Sequence, residues 1–131
     1  MANTAIIKTM KETFKGTKVE KVADCFLNAK GRFIRVVMKP QESDVKRNGK
    51  VRVFFVNVAS TWKNYEKKHL GGDGLLTEVG KKILRTKFEK GQLSVIDSIR
   101  DEKSGRFVPS PRTIDLNKVD YIKYAGNTYR F

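Results

Sequence analysis

RFIRVVMKPQESDVKRNGKVRVFFVNVA, residues 32–59, decides the fold of this chain. Its two ends, residues 32–39 and 50–59, are rich in Val, Ile and Phe and alternate over part of their length, which is typical of β-strands. The polar segment between them ends in Asn48-Gly49, a strong turn signal. The sequence therefore predicts an antiparallel hairpin with a long polar connection.

The two strands of this hairpin combine aromatic and basic side chains. Side chains two apart on a strand share a face, so Phe33 lies with Arg35, and Arg52 lies with Phe54. We expect these four side chains on one aromatic and basic face. The alternative is that both phenylalanines are core residues, as most phenylalanines are.

Residues 60–89 have helical spacing. STWKNYEKKHLGG (60–72) predicts a short helix that Ser60 or Thr61 caps and the glycines end, with Trp62 and Tyr65 favoured as core residues. Asp73 is placed to cap a second helix. The apolar positions of that second helix with a period near 3.6 residues are Leu76, Val79, Ile83, Leu84 and Phe88.

The last third of the chain reads as β-structure. QLSVIDSIR (92–100), RFVPSPRTIDL (106–116) and VDYIKY (119–124) are the expected strands, with a turn at residues 101–105. Pro109 and Pro111 predict an edge strand or a loop, because proline cannot donate to a sheet ladder.

The first thirty residues permit two readings. Ile6, Met10 and Phe14 suit a helix, and residues 17–20 (TKVE) have the spacing of a capping box. Residues 22–26 also alternate acceptably as a strand. Local patterns favour the helix.

Charge is the most informative property of the composition. The 131 residues include 28 Lys or Arg and 14 Asp or Glu, which gives a formal net charge of +14. Such a surface predicts a polyanionic partner. Length and an apolar content of 39% predict one folded domain spanning residues 1–131, with residues 1–17 as an N-terminal extension. We expect a cytoplasmic protein (host cytoplasm if viral) with no membrane partner, because no stretch resembles a signal peptide or a membrane span.

Catalytic and metal sites are disfavoured by residue counts. One histidine, His69, and one cysteine, Cys25, cannot assemble a zinc site of the Cys/His type, and His69 lies in a charged run that reads as a solvated helix face. Gly74 and Gly80 are separated by five residues rather than the four of a Walker loop, and Lys82 stands where the hydroxyl is required. We therefore expect no enzyme activity and no cofactor.

The run from about residue 19 to 124 resembles the OB-fold single-stranded DNA-binding proteins of bacteria and their phages. The likeness lies in RFIRVVMKP, KVRVFFVNVA, TWKNYEKKHL, EKGQLSVIDSIR and SGRFVPSPRTIDLNKVDYIKY. It implies a mainly β, five-stranded barrel with a helix between strands 3 and 4, in which residues 19–27 form the first strand. The alternative fold is α+β, with N-terminal helices packed on an antiparallel sheet.

The residues support the same function independently, since single-strand binders combine a positive groove with aromatic faces on which bases stack. Residues 30–52 hold eight basic and two acidic side chains, and Arg106-Phe107 is a further basic and aromatic pair. The candidate nucleic-acid-binding residues are Arg32, Phe33, Arg35, Lys39, Lys46, Arg47, Lys50, Arg52, Phe54, Lys103, Arg106 and Phe107.

These features lead to one functional hypothesis and three alternatives. We expect a non-catalytic, sequence-tolerant single-stranded DNA-binding protein of replication or recombination, plausibly encoded by a phage, with homo-oligomers possible. An RNA-binding protein would share every electrostatic argument. A basic capsid or nucleoid protein would need the charge but no exposed aromatic residues, and an inhibitor would use it to bind an acidic protein.

Overall fold

The computed structural model describes residues 4–29 and 32–131. In these ranges the helices are α1 (Thr4–Phe14), α2 (Glu20–Asn28), α3 (Val58–His69) and α4 (Glu78–Glu89). The strands are β1 (Phe33–Met38), β2 (Val53–Asn57), β3 (Gln92–Arg100), β4 (Phe107–Asp115), β5 (Val119–Tyr124) and β6 (Asn127–Arg130). Short 3-10 helices occupy Glu42–Arg47 and Leu116–Lys118.

The strands form one antiparallel sheet in the order β4-β3-β2-β1-β5-β6. Across the described residues β4 and β6 are its two edges and do not pair with each other, so the sheet is open. The five-stranded barrel expected from the OB resemblance is therefore wrong, and the α+β alternative describes the architecture. The segment expected as the first barrel strand, residues 19–27, lies mostly in α2.

The predicted central hairpin is confirmed. β1 and β2 pair so that Val36 lies opposite Phe54 and Arg35 lies opposite Phe55. The Val36 and Phe54 side chains are both buried in the core. The strands are shorter than expected because the connection holds the 3-10 helix Glu42–Arg47, which ends at Asn48 in the left-handed conformation (φ 57°).

The N-terminal residues are helical, as the local patterns favour, but not through a capping box. The N-cap of α2 is Val19, which offers no side-chain acceptor. The Thr17 hydroxyl donates instead to the Phe14 carbonyl, and the Glu20 carboxylate accepts the Gly16 N–H. These bonds close the turn between α1 and α2. The helix wins over a strand because Val22, Ala23, Cys25 and Phe26 are all buried, which helical spacing allows and strand alternation does not.

The expected N-terminal extension supplies part of the core. Ile6, Met10 and Phe14 of α1 are buried, and the Phe14 and Phe88 ring centroids lie 5.8 Å apart. Helix α1 thus packs on α4, and residues 4–14 belong to the same hydrophobic core as the sheet.

Helix α3 begins at Val58, two residues earlier than the predicted cap. Its N-cap is Asn57, whose side chain accepts the Ser60 N–H. The Thr61 hydroxyl oxygen accepts the Ile96 N–H at 3.0 Å, and the Tyr65 hydroxyl oxygen accepts the Ser94 N–H at 2.7 Å. Side chains of helix α3 therefore accept hydrogen bonds from the backbone of β3 along the part of its edge that β2 does not cover.

Helix α4 is capped by Thr77, whose hydroxyl accepts the Gly80 N–H, and not by Asp73. Its buried face is formed by Gly80, Leu84 and Phe88, where a Cβ on Gly80 would overlap the His69 carbonyl. Val79 and Ile83, expected among its apolar core positions, are 70% and 47% exposed. The buried face of α4 differs from the expected one because α4 contacts α3 through Gly80, where a larger residue would not fit.

The C-terminal strands confirm the β reading. Pro109 and Pro111 lie in β4, which is an edge strand as predicted. Strand β6 was not expected from the sequence. It follows a turn in which Ala125 and Gly126 have φ values of 52° and 78° and pairs with β5.

Candidate nucleic-acid interface

Helices cover one side of the sheet, and the other side, which we call the open face, carries aromatic and basic side chains. Strand alternation and register place a set of residues there, because buried core positions alternate with them along each strand. The open-face positions are Phe33, Arg35, Val37, Val53, Phe55, Ile96, Ser98, Arg100, Phe107, Pro109, Tyr121, Lys123, Thr128 and Arg130.

The centre of the open face is a cation and aromatic pair. Arg35 and Phe55 are directly opposed on β1 and β2, and the guanidinium carbon lies 5.7 Å from the ring centroid. The Phe55 ring is 46% exposed, and its backbone N–H donates to the buried Asp97 carboxylate at 2.8 Å. This bond to β3 fixes the strand position from which the ring projects.

A second cluster on β5 and β6 adjoins this pair. Lys123 is the cross-strand neighbour of Arg35, and Tyr121 is the neighbour of Val37. The Lys123 amine lies 5.7 Å from the Tyr121 ring centroid, and the Arg130 guanidinium carbon lies 4.9 Å from it. The face thus repeats one motif, an aromatic ring beside a cation.

Further aromatic rings lie at two more points of the open face. Phe33 at the start of β1 is 57% exposed, and Phe107 at the start of β4 is 70% exposed. Phe107 pairs with Arg100 and follows Arg106. From β4 to β5 there are four strand spacings, roughly 19 Å at 4.8 Å each, so the rings span the width of the sheet.

Positive charge predominates on the open face. No acidic residue occurs among the open-face positions defined above, all of which lie in the described ranges; Asp115, which alternation places on the same side at the far end of β4, accepts the Asn117 N–H and caps the 3-10 helix that follows. In the β3–β4 turn, Asp101 accepts the Ser104 hydroxyl and the Lys103 N–H. That carboxylate is therefore used to hold the turn, and the exposed Lys103 and Arg106 side chains project from it.

The basic residues expected in the hairpin connection are exposed, at the end of the sheet where β1 stops and β2 starts. Arg47 is partly engaged there, since its guanidinium bonds the buried Asp44 carboxylate at 3.2 Å. The other cations of this group are Lys39, Lys46 and Lys50, while Arg32 is exposed just before β1 at the opposite end.

Phe54 is placed differently from the sequence-based expectation. It shares a side with Arg52, whose guanidinium carbon lies 5.2 Å from its ring centroid, but that side faces the core. The ring is 4% exposed, so it cannot accept a base. The adjacent Phe55 takes the open-face position, and the expected core positions of Trp62 and Tyr65 are confirmed.

Sequence reasoning also missed Tyr121, Lys123 and Arg130. The alternation in VDYIKY placed Tyr121 and Lys123 on one face, which is a usable signal. Nothing in the sequence indicated that β5 would lie beside β1. Arg130 was missed because strand β6 itself was not expected.

His69 and Cys25 are both buried. His69 is buried rather than on a solvated face, and burial followed by the charges of Lys87 and Lys68 lowers its pKa. Its Nδ1 has no hydrogen-bond partner in the structure. Burial, and then the Asp24 carboxylate, raise the pKa of the buried Cys25 thiol to about 11. Among the described residues, no three His, Cys, Asp or Glu side chains are grouped to hold a metal ion.

None of the helices in residues 4–29 and 32–131 has the length and apolar character to span a bilayer. Comparison with known proteins gives no matching family model, no significantly similar curated protein and no significantly similar solved structure.

Proposed function

We propose that this protein binds single-stranded nucleic acid across the open face of its sheet, without sequence preference and without catalysis. The observation that carries the proposal is the exposed Arg35 and Phe55 pair at the centre of a face on which basic and aromatic side chains predominate. Unpaired bases stack on aromatic rings, and cations beside the rings contact phosphates.

Several rings that each stack one base would add their contributions to the binding free energy. Stacking on an aromatic side chain is worth roughly 1–3 kcal/mol per base. Phe107, Phe55, Phe33 and Tyr121 offer about four platforms, one per base. Arg35, together with the cations on β3, β5 and β6, lies between or beside these rings, where a connecting backbone would pass.

Single-stranded DNA is the ligand we propose first, for a role in replication or recombination, as in the single-strand binders that the sequence resembles. The site differs from the expected barrel groove because it is a face of an open sheet. An open antiparallel sheet with exposed aromatic rings is also a form that stacks RNA bases. RNA is therefore the second candidate, and the open sheet is the observation that favours it.

A competition experiment tests the proposal. A labelled oligo-dT bound to the full chain is displaced by unlabelled single-stranded DNA, by duplex of the same length, or by RNA, all at one salt concentration. We expect the single strands to compete better than the duplex, because bases in a duplex are already stacked. Equal competition by duplex would contradict the proposal and favour a basic packaging protein, which needs only the charge.

A further inference from the structure

A second group of exposed apolar side chains lies away from the open face. Leu75, Val79 and Ile83 are 63%, 70% and 47% exposed. Val79 and Ile83 are four residues apart on α4 and share one helix face, while Leu75 lies in the turn just before that helix. We call these three residues the α4 stripe. The proposed nucleic-acid function does not use them.

Rotation of α4 cannot bury the α4 stripe. The opposite flank of the helix already packs in the core, where Leu84 and Phe88 are 0% and 1% exposed. Gly80 of that flank lies so close to α3 that a Cβ at this position would overlap the His69 carbonyl. The stripe is therefore part of the surface that the described residues form.

Lysines border the α4 stripe around Ile83, while Asp73 and Glu78 lie beside its Leu75 end. A shallow groove of about 300 Å³ runs beside Ile83, with walls that include Lys82, Lys87 and Lys90. The Lys87 amine donates to the Ser94 hydroxyl on β3, which fixes one of these cations at the groove. Apolar side chains with a lysine border are complementary to a partner that has a narrow apolar edge and flanking carboxylates.

We propose that the α4 stripe binds an acidic amphipathic helix of a partner protein. Leucine-type side chains of that helix would pack on Val79 and Ile83, as apolar residues at positions i and i+4 do in helix-in-groove complexes. Its carboxylates would pair with Lys82, Lys87 and Lys90. The stripe residues lie on the helix layer and are not among the open-face positions. Peptide binding at the stripe and nucleic-acid binding on the open face can therefore be tested independently.

Charge and shape disfavour the other occupants. Two copies meeting at the α4 stripe would bring lysine against lysine in a chain of net charge +14. Nucleic acid would find no aromatic ring among the three stripe residues on which to stack. A membrane surface requires a broad apolar face buried about 5–10 Å deep, and the rest of the apolar side of α4 is occupied by the core.

The test uses the full chain and three synthetic helical peptides labelled with fluorescein. The first, of about 18 residues, has Leu along one face and Glu elsewhere. The second replaces each Leu by Ser at the same charge, and the third replaces each Glu by Lys. Anisotropy titrations compare wild type with Val79→Ser/Ile83→Ser, with Lys82→Glu/Lys90→Glu, and with Phe55→Ala as the control on the open face.

We expect the Leu/Glu peptide to bind wild type about tenfold or more tightly than the Ser/Glu peptide, which is about 1.4 kcal/mol. The serine variant should remove that difference and the charge-reversal variant should weaken binding. Phe55→Ala should change neither the affinity for the Leu/Glu peptide nor its preference over the Ser/Glu peptide. Thermal melts check that the variants fold. We expect them to fold, because substitutions at exposed positions change stability little.

Several results would overturn the proposal. Equal binding of the Leu/Glu and Ser/Glu peptides would show attraction by charge alone. Unchanged binding by the serine variant would place the contact elsewhere. Self-association in sedimentation that the serine variant abolishes would assign the stripe to a second copy. Binding to phosphatidylserine vesicles that needs Val79 and Ile83, with no peptide preference, would assign it to a membrane surface.

Discussion

Arg35 and Phe55 face each other across the β1–β2 ladder, with the guanidinium carbon 5.7 Å from the ring centroid and the ring 46% exposed. A guanidinium at this distance is attracted to the negative face of the ring. The pair therefore presents an exposed aromatic ring and a cation within one cross-strand neighbour distance. Its position at the middle of a six-stranded sheet leaves room for further bases on both sides.

Salt should weaken binding steeply, because cations that contact phosphates release counterions. For single strands the log-log slope is about −0.7 per phosphate, so about five phosphates predict a loss of roughly a hundredfold between 50 and 200 mM salt. Replacing Arg35 by Gln should make the slope shallower by about 0.7. Oligo-dT titrations at several salt concentrations measure both slopes, and a flat response in wild type would contradict phosphate binding.

Phe33 and Phe54 should respond oppositely to truncation. Phe54→Ala removes a ring that is 4% exposed and should cost about 3–5 kcal/mol of unfolding free energy. Phe33→Ala removes a ring that is 57% exposed and should leave the stability near wild type. Denaturant melts of the two variants provide the comparison. Equal losses would mean that the two faces are assigned wrongly.

The opposite faces of Phe54 and Phe55 show what sequence can and cannot predict. Alternation correctly places Arg52 with Phe54, and the guanidinium does lie over that ring. Which side of the strand faces the core depends on where the helices pack, and that is a long-range property. Two adjacent phenylalanines give no local preference. The hairpin, the edge strand with two prolines and the helices were predictable because each has a local signal.

The sheet order was not predictable from local patterns. Strand β5 pairs with β1, from which it is separated by some eighty residues, and this pairing brings Tyr121 and Lys123 beside Arg35. The resemblance to OB-fold proteins implied a closed barrel instead. Residues 20–28 form a helix, so the strand that this barrel requires is missing from the structure.

Tyr65 and Thr61 should stabilise the fold through the edge of β3. Tyr65→Phe leaves the Ser94 N–H without its acceptor, and Thr61→Val does the same to the Ile96 N–H. An unsatisfied buried donor costs about 1–3 kcal/mol, so each variant should lose that much stability. Tyr121→Phe on the open face is the matched control and should change the melting temperature little. Wild-type stability in Tyr65→Phe would argue against this contact.

His69 should make folding less favourable in mild acid. Burial and the nearby charges of Lys87 and Lys68 lower its pKa in the folded state, whereas the unfolded chain keeps a value near 6.5. Below that pH the unfolded state binds more protons, so the free energy of unfolding falls as the pH decreases. The free energy of unfolding stops falling once the pH is below the pKa of His69 in the folded state. Urea melts between about pH 7.5 and 5.5 should show a shallower pH dependence in His69→Gln, and an identical dependence would contradict this assignment.

The affinity of Phe55→Ala for oligo-dT tests the open-face site most directly. Val79→Ala on α4 is the control, because it also truncates an exposed apolar side chain but lies off the sheet. We predict that Phe55→Ala weakens binding by about 1–3 kcal/mol, roughly 5- to 150-fold, with wild-type stability and with wild-type affinity in Val79→Ala. Wild-type affinity in a folded Phe55→Ala protein would contradict nucleic-acid binding on the open face.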